Sequence, residues 1–475
     1  MNKLVDSRRR FLVGSGALVS TAAWRCVSPL RAAAAPALIA ADAQRPQLLQ
    51  GLQIGDVRDD RALIWARADR SARLRVEWGL DEHFRAPKRL LGPAALEDSD
   101  FTTRVELSGL PADREVFLRV SFEDLAESRV VSAPWHGRFR TAPESCRDVR
   151  FQWSGDTAGQ GFGINPELGG MTIYETMRAR QPDFFIHCGD NIYADGAIPE
   201  ELTVEEGRIW RNIVTPEKSK VAETLAEFRG AYKYNLLDEN VRRFNAQVPQ
   251  VWQWDDHETT NNWSSSKDLS QDERYTEKSV PLLAARGKRA FLEYAPIALT
   301  GVAEPERIYR HIPYGPLLDV FMLDMRSYRG PNTTNVQATP SDETEFLGSA
   351  QLRWLKRELL SSRATWKVIS ADMPIGLLVG DGENAAGEPL FEAIANGDGV
   401  PLGRELEIAE LLRFIKRHDI KNVVWITADV HYTAAHFYDP KAARFSDFAP
   451  FWEFVSGPLH AGSFGPGVPD DTFGV

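Results

Sequence analysis

The chain has 475 residues, a length that calls for more than one hydrophobic core. Apolar residues make up 43% of it and charged residues 26%, a globular composition that excludes a disordered or low-complexity chain. A formal net charge of −11 argues against nonspecific nucleic-acid binding, which needs a basic surface, so no nucleic-acid partner is expected.

The N-terminus reads as a targeting segment. Ser7-Arg8-Arg9-Arg10-Phe11-Leu12 precedes an apolar stretch from Val13 to Ala23, then the small-residue tract Ala32–Ala35. This order resembles a twin-arginine export signal, so residues 1–43 are expected to be a leader cleaved between Ala33 and Ala43. It implies the twin-arginine export machinery as a partner and a periplasmic or secreted location. Losing six basic and two acidic residues with the leader would take the net charge from −11 to −15. No later run of 18 apolar residues occurs, so no stable membrane span is expected after cleavage. Cys26 lies in the leader, and the remaining Cys146 and Cys188 are too few for a disulfide scaffold.

Residues 48–142, within a domain expected over 44–142, alternate with period two. Leu74, Val76 and Trp78 interleave with Arg73, Arg75 and Glu77, and Val116, Leu118, Val120 and Phe122 with Phe117, Arg119 and Ser121. Turn residues such as Gly79, Gly109 and Pro134 separate the runs, which predicts a small all-β sandwich with a packing or docking role.

From Arg150 the pattern changes to strand–helix alternation, predicting an α/β domain over 143–475. Its centre is DFFIHCGDNIYADG, residues 183–196: an apolar run through Cys188, a stop at Gly189, then Asp190, Asn191 and Tyr193. Five other runs end on acids: at Asp156, at Asp255-Asp256, at Asp324, at Asp372, and at Asp429 with His431 two residues on. Aspartate is a common turn residue, and that explains one or two such endings. Six endings in one parallel arrangement gather carboxylates at one sheet edge, where ligands bind in open α/β sheets. Crowded carboxylates repel, and bound multivalent cations relieve the repulsion.

Residues 197–247 and 264–300 are expected to be charged helical insertions, walls or lids over the sheet edge. Leu352, Leu355 and Leu359 stripe one amphipathic helix, and Leu406, Ala409, Leu412 and Ile415 another. The Gly-rich, acidic stretch 380–403 reads as a mobile rim. The turn-rich end from Gly457 suggests a truncated chain or a tail wrapping the second domain. His187 reads as a core histidine, while His436 and His460 lack ligand spacing.

GDNIY at 189–193, WDDHETTNNW at 254–263, ADVHYT at 428–433 and FVSGPL at 454–459 together resemble the alkaline phosphatase D (PhoD-like) family of the metallophosphoesterase superfamily. The resemblance implies a four-layer metallophosphoesterase-like α/β sandwich preceded by a fibronectin III-like β-sandwich. It implies an alkaline phosphatase or phosphodiesterase acting on a phosphate ester substrate through a metal-activated hydroxide. Carried onto this chain, the metal ligands are Asp156, Asp190 (bridging), Tyr193 (as phenolate), Asp256, Asp372, Asp429 and His431. This oxygen-rich set favours Ca²⁺ beside Fe³⁺, in a di- or trinuclear centre. The family often has Cys directly after the first Asp, and Thr157 stands there instead, which leaves the iron open. His257 is placed to protonate the leaving alkoxide, with Asn262 and either Arg274 or Arg326 holding the phosphate. Arg326 reads equally well as the partner of a structural acid, and Asp324 and Glu258 as supports rather than ligands. Two rivals stand beside this reading: a non-catalytic binding or adhesion protein on a degenerate phosphatase fold, and a phospholipase-type phosphodiesterase.

Overall fold

The computed structural model describes residues 41–298, 304–397 and 399–475. The expected leader, up to residue 40, lies outside the described residues.

The alternation read near the N-terminus becomes strands whose buried and half-buried residues alternate, most regularly in Ala72–Gly79. A four-stranded antiparallel sheet runs in the order 88–95, 72–79, 115–124 and 135–140. Its inner side chains, among them Leu74, Val76, Leu118 and Phe122, share one core with Leu52, Ile54 and Ile64 from a facing layer. That facing layer, strands 52–55, 61–67 and 102–108, is continuous with the next sheet. The join is a single parallel pairing of Gly55 with Gln250. Only glycine fits at the join, because a Cβ on Gly55 would lie 1.7 Å from the Pro296 carbonyl oxygen.

Beyond the join, strands Gln250–Gln253, Phe184–Cys188, Phe151–Thr157 and Pro458–His460 are parallel. A second sheet has the parallel centre 318–322, 366–370, 423–427 and 451–455, with antiparallel strands at both edges. Phe184, Ile186 and Cys188 of the first sheet meet Val320, Met322, Val368 and Ile426 of the second. The opposite faces are covered too. Phe185 and Trp252 pack with Phe228, Phe244 and Phe291 from helices, and Phe321, Ile369 and Trp425 pack under two others. The result is four layers, helix–sheet–sheet–helix. Burial on both faces explains why these strands read as unbroken apolar runs.

Several sequence expectations change here. The helices of the two insertions, Leu225–Asn235, Glu239–Asn245 and Val280–Tyr294, form the outer layer over the first sheet rather than lids over its edge. The first of them is set by a capping box, Thr224 with Glu227. In the helix Glu405–Arg417 the buried stripe runs through Ile408, Ala409, Leu411, Leu412 and Ile415, with Leu406 only half-buried. The stretch 380–403 is no loose rim: it forms a hairpin, Gly380–Glu383 with Pro389–Phe391, and then buries Glu392 to Ala395. The chain end packs down, with Phe473 buried against Phe445 and Phe448. Among the described residues no helix is long and apolar enough to cross a membrane.

Candidate metal centre

Register brings the acids together. Ser154 pairs with His187, which brings Asp156 alongside Gly189 and Asp190, and Thr157 N–H donates to the Asp190 carbonyl (2.9 Å). The next strand pairs Gln253 with Cys188 and delivers Trp254 to His257 alongside. Gly189, at φ +109°, makes room for this: a Cβ there would lie 2.4 Å from the Asp255 Cβ. From the second sheet come Asp324, Asp372, Asp429 and His431, each just past a parallel strand. Asp156, Asp190, Asn262, Asp429 and His431 all have positive φ, between 53° and 66°. Non-glycine residues pay for that conformation, and such costs collect at functional sites.

Three overlapping groups of ligand atoms result. Asp156, Asp190 and His431 form one, Asp190, Asp256 and His257 a second, and Asp255, Asp256 and Asp429 a third, each with its atoms within 4.8 Å of one another. Tyr193 joins the first, its hydroxyl 2.8 Å from His431 Nε2 and 3.5 Å from Asp156 Oδ1. Asp156 Oδ2, Asp190 Oδ2 and Asp256 Oδ1 are buried and accept no hydrogen bond. Orphaned buried carboxylate oxygens are costly unless a cation meets them, so the donor set fits metal ions. Burial, reinforced by Asp256 and Asp156, pushes Asp190 well above the usual carboxylate range, and burial with Asp256 takes Asp429 to about 8. Burial and the nearby Asp190 and Asp156 likewise push the Tyr193 phenol up. Charge crowding on this scale is what bound cations relieve.

Arg326 does not stand at the mouth. It is fully buried, 2.6 Å from Asp255 Oδ1, 3.4 Å from Asp372 Oδ2, and ion-paired with Glu392. Of the two readings open for it, pairing with internal acids is the one its surroundings favour. Asp372 thus reaches the cluster's edge already facing a guanidinium. Asp324 caps its own turn and accepts from Trp254 Nε1 (2.8 Å). Glu258, raised to about 7 by burial, accepts from the backbone N–H groups of Asn191 (2.6 Å) and Asp255 (2.8 Å), tying two acid loops together. Arg274 is gripped by Asp272 at the rim and reaches no further in than the Asp195 carbonyl (3.2 Å). Asn262 N–H donates to Asp256, while its amide donates to the Gly380 carbonyl (3.3 Å).

One residue escaped the sequence reading. Asp195 is buried, with Oδ1 2.7 Å from His257 Nδ1 and Oδ2 accepting from Asn261 N–H (2.7 Å). Burial works against charge on both side chains. Even so, the pair holds the Asp195 carboxyl below its ordinary range and the His257 imidazolium well above its own, with Asp256 and Asp190 adding to the latter. The only sequence signal was an acid five residues past Asp190, and nothing in spacing links it to His257.

The three other histidines singled out in the sequence are occupied elsewhere. His187 is buried and lowered to about 3 by that burial, with Nε2 2.9 Å from Thr157 Oγ1. Thr157 also bonds the Tyr174 hydroxyl (2.9 Å), so its side chain is engaged within the first sheet's helical core. His436 pairs with Glu453 (3.0 Å), and His460 Nε2 with the Gly163 carbonyl (2.9 Å).

Four layers with acids at the shared edge of two sheets define a metallophosphoesterase-like fold. A purple acid phosphatase from yellow lupin (Lupinus luteus) seeds superposes with a TM-score of 0.52 over 88% of this chain and 66% of that one, at 12% identity. The family models are more specific: residues 151–472 match the PhoD-like phosphatase and 32–143 its N-terminal domain. The chain belongs to the PhoD-like phosphatase family. It is 28% identical over 400 residues to alkaline phosphatase D of Bacillus subtilis (strain 168), a match covering 80% of this chain but 64% of that protein's length. A solved structure of PhoD matches with a TM-score of 0.69 and 24% identity, over 89% of this chain and 79% of its own.

Proposed function

We propose that the chain is a metal-dependent phosphoric ester hydrolase of the alkaline phosphatase or phosphodiesterase kind. The observation that carries this is the set of buried, partnerless carboxylate oxygens on Asp156, Asp190 and Asp256, with the His257–Asp195 pair directly alongside. Asp156, Tyr193 and His431 would hold one ion, Asp190 would be shared, and Asp256 and Asp429 would hold another. Asp372, against Arg326, is the least free of the seven. Phenolate suits Fe³⁺ and the carboxylates suit Ca²⁺. Bound ions supply Lewis acidity, charge neutralisation and a water acidic enough to attack phosphorus.

The chain's own groups do the rest. Asp195 fixes the His257 ring through Nδ1–H, which turns Nε2–H toward the leaving oxygen as a proton donor. Asn262, at the mouth, offers an amide donor to a phosphoryl oxygen. Export by the twin-arginine route, placing the enzyme in the periplasm or outside the cell, is supported by the Arg8-Arg9-Arg10 leader sequence.

The test is hydrolysis of phenyl phosphate and of methyl phenyl phosphate by the metal-reconstituted chain at alkaline pH, with elemental analysis alongside. We expect turnover that chelation removes, and an Asp190→Asn variant that loses both activity and metal. Less than one metal per chain, with no turnover of either ester, would instead mean a binding protein on a degenerate fold.

A further inference from the structure

Within that phosphoesterase reading, one side chain has no role yet. Phe464 is 57% exposed although its ring stacks on His431, centroids 4.6 Å apart and planes 20° off parallel. Single exposed apolar residues are common and carry no message by themselves. Phe464 differs in how firmly its loop is fixed to the centre. Its N–H donates to the His431 carbonyl (3.3 Å), and the Gly462 carbonyl accepts from His431 Nδ1. Gly462 N–H in turn donates to the Gln160 side chain (3.1 Å), which anchors the loop to the turn after Asp156. At its other ring nitrogen, His431 Nε2 lies 2.8 Å from the Tyr193 hydroxyl and 3.2 Å from Asp156. An aromatic ring is thus fixed against His431, a member of the acid cluster, with more than half of its surface uncovered.

We propose that Phe464 is a specificity determinant: a platform on which an aromatic group of the ester, an aryl ring or a nucleobase, stacks while its phosphate sits at the acid cluster. Offset stacking needs one flat, fixed, uncovered face, and the loop provides it. The residue that follows, Gly465, adds no crowding there, since even a Cβ on it would meet nothing within 4 Å. The substrate class implied is an aryl- or nucleobase-bearing phosphate ester in preference to an alkyl one. Base–aromatic stacking is tolerant of ring identity, so the preference is for an aromatic plane, not for a particular base.

The experiment compares methyl phenyl phosphate with methyl hexafluoroisopropyl phosphate, whose alcohols are similarly acidic but of which only one is aromatic. Phe464→Ala is expected to raise KM for the phenyl ester about 10-fold with little change in kcat. KM for the fluoroalkyl ester and the metal content per chain should stay as they were. Phe464→Trp should restore the phenyl preference, and Phe464→Leu should not. Equal loss on both esters, or loss of metal, would mean that Phe464 only props His431, and would overturn the proposal. An unchanged phenyl KM would overturn it as well. If the unsubstituted chain cleaves neither ester, the phosphoesterase reading fails first and the platform falls with it.

Discussion

Raising the pH on the metal-stripped chain tests whether its crowded carboxylates depend on cations. Burial, with Asp256 next to it, takes Asp429 from 3.8 to about 8. The folded, metal-free chain therefore keeps a proton on Asp429 that the unfolded chain releases near its ordinary value. Between the two values the folded state binds more protons than the unfolded one, so stability falls as pH rises and levels off above the folded value. Keeping that proton is worth on the order of 5 kcal/mol of stability, lost across the interval. Asp190 and Asp255 shift in the same direction, also chiefly by burial, and steepen the fall. Cations remove the cause, because carboxylates facing them ionise without the penalty. The assay is calorimetric Tm from about pH 5 to about pH 9, with chelator and with metal, on the unsubstituted chain and on Asp429→Asn. The stripped chain should lose Tm with rising pH, the loaded chain should not, and the gap between them should widen. Asp429→Asn should flatten the stripped curve. A stripped chain as stable at the alkaline end as at the acid end would refute the reasoning, as would a variant with an unaltered slope.

Two further outcomes follow from the same packing. Asp195→Asn removes a charge-assisted bond to His257 worth about 1.5–3 kcal/mol, so kcat for an ester with a poorly acidic alcohol should fall about 10- to 100-fold. A p-nitrophenyl ester, which hardly needs the proton, should be nearly unaffected, and elemental analysis should find the metals retained. Cys188 is buried, its thiol pushed up to about 12 by that burial, whereas Cys146 is exposed. A thiol reagent should therefore label Cys146 quickly and Cys188 only on unfolding, as peptide mapping of the labelled chain would report.

Much of this centre was legible because its residues obey local rules. A strand buried on both faces must be apolar, and where it stops the first polar residue shows plainly, which is how Asp156, Asp190, Asp256 and Asp429 could be read. What failed was anything set by contacts across the chain. Asp195 sits in a turn, and only the fold brings it to His257. Glu392 lies in a Gly-rich acidic stretch that looked solvated, yet it is fully buried because Arg326 and Arg329 neutralise it. The insertion helices looked like lids because their polar faces dominate the sequence. Phe228, Phe244 and Phe291 nevertheless pay their way as a core layer over the first sheet. Composition reports what a stretch could tolerate, and partners decide where it goes.

The charges also divide the site into two unequal halves, and the division says where cations are needed. On one side the chain supplies its own positive charge. Arg326 meets Asp255, Asp372 and Glu392, and Arg329 meets Glu392 as well. Arg404, also buried, donates to the carbonyls of Phe391 and Glu392 on one side and of Pro331 on the other, and so braces the hairpin end beneath that group. On the other side no arginine or lysine forms an ion pair among the described residues: Asp156 meets His431, Asp190 and Asp256 lie near His257, and Asp429 has no ion-pair partner. A guanidinium is permanently charged, so the first half carries its own counter-charge whatever the medium contains. Once ionised, the second half must draw counter-charge from outside, and it is the half that lies beside His257, Tyr193 and Asn262. The same sequence thus balances its buried acids where they brace the fold, and leaves them unbalanced where an anionic ester would have to be drawn in.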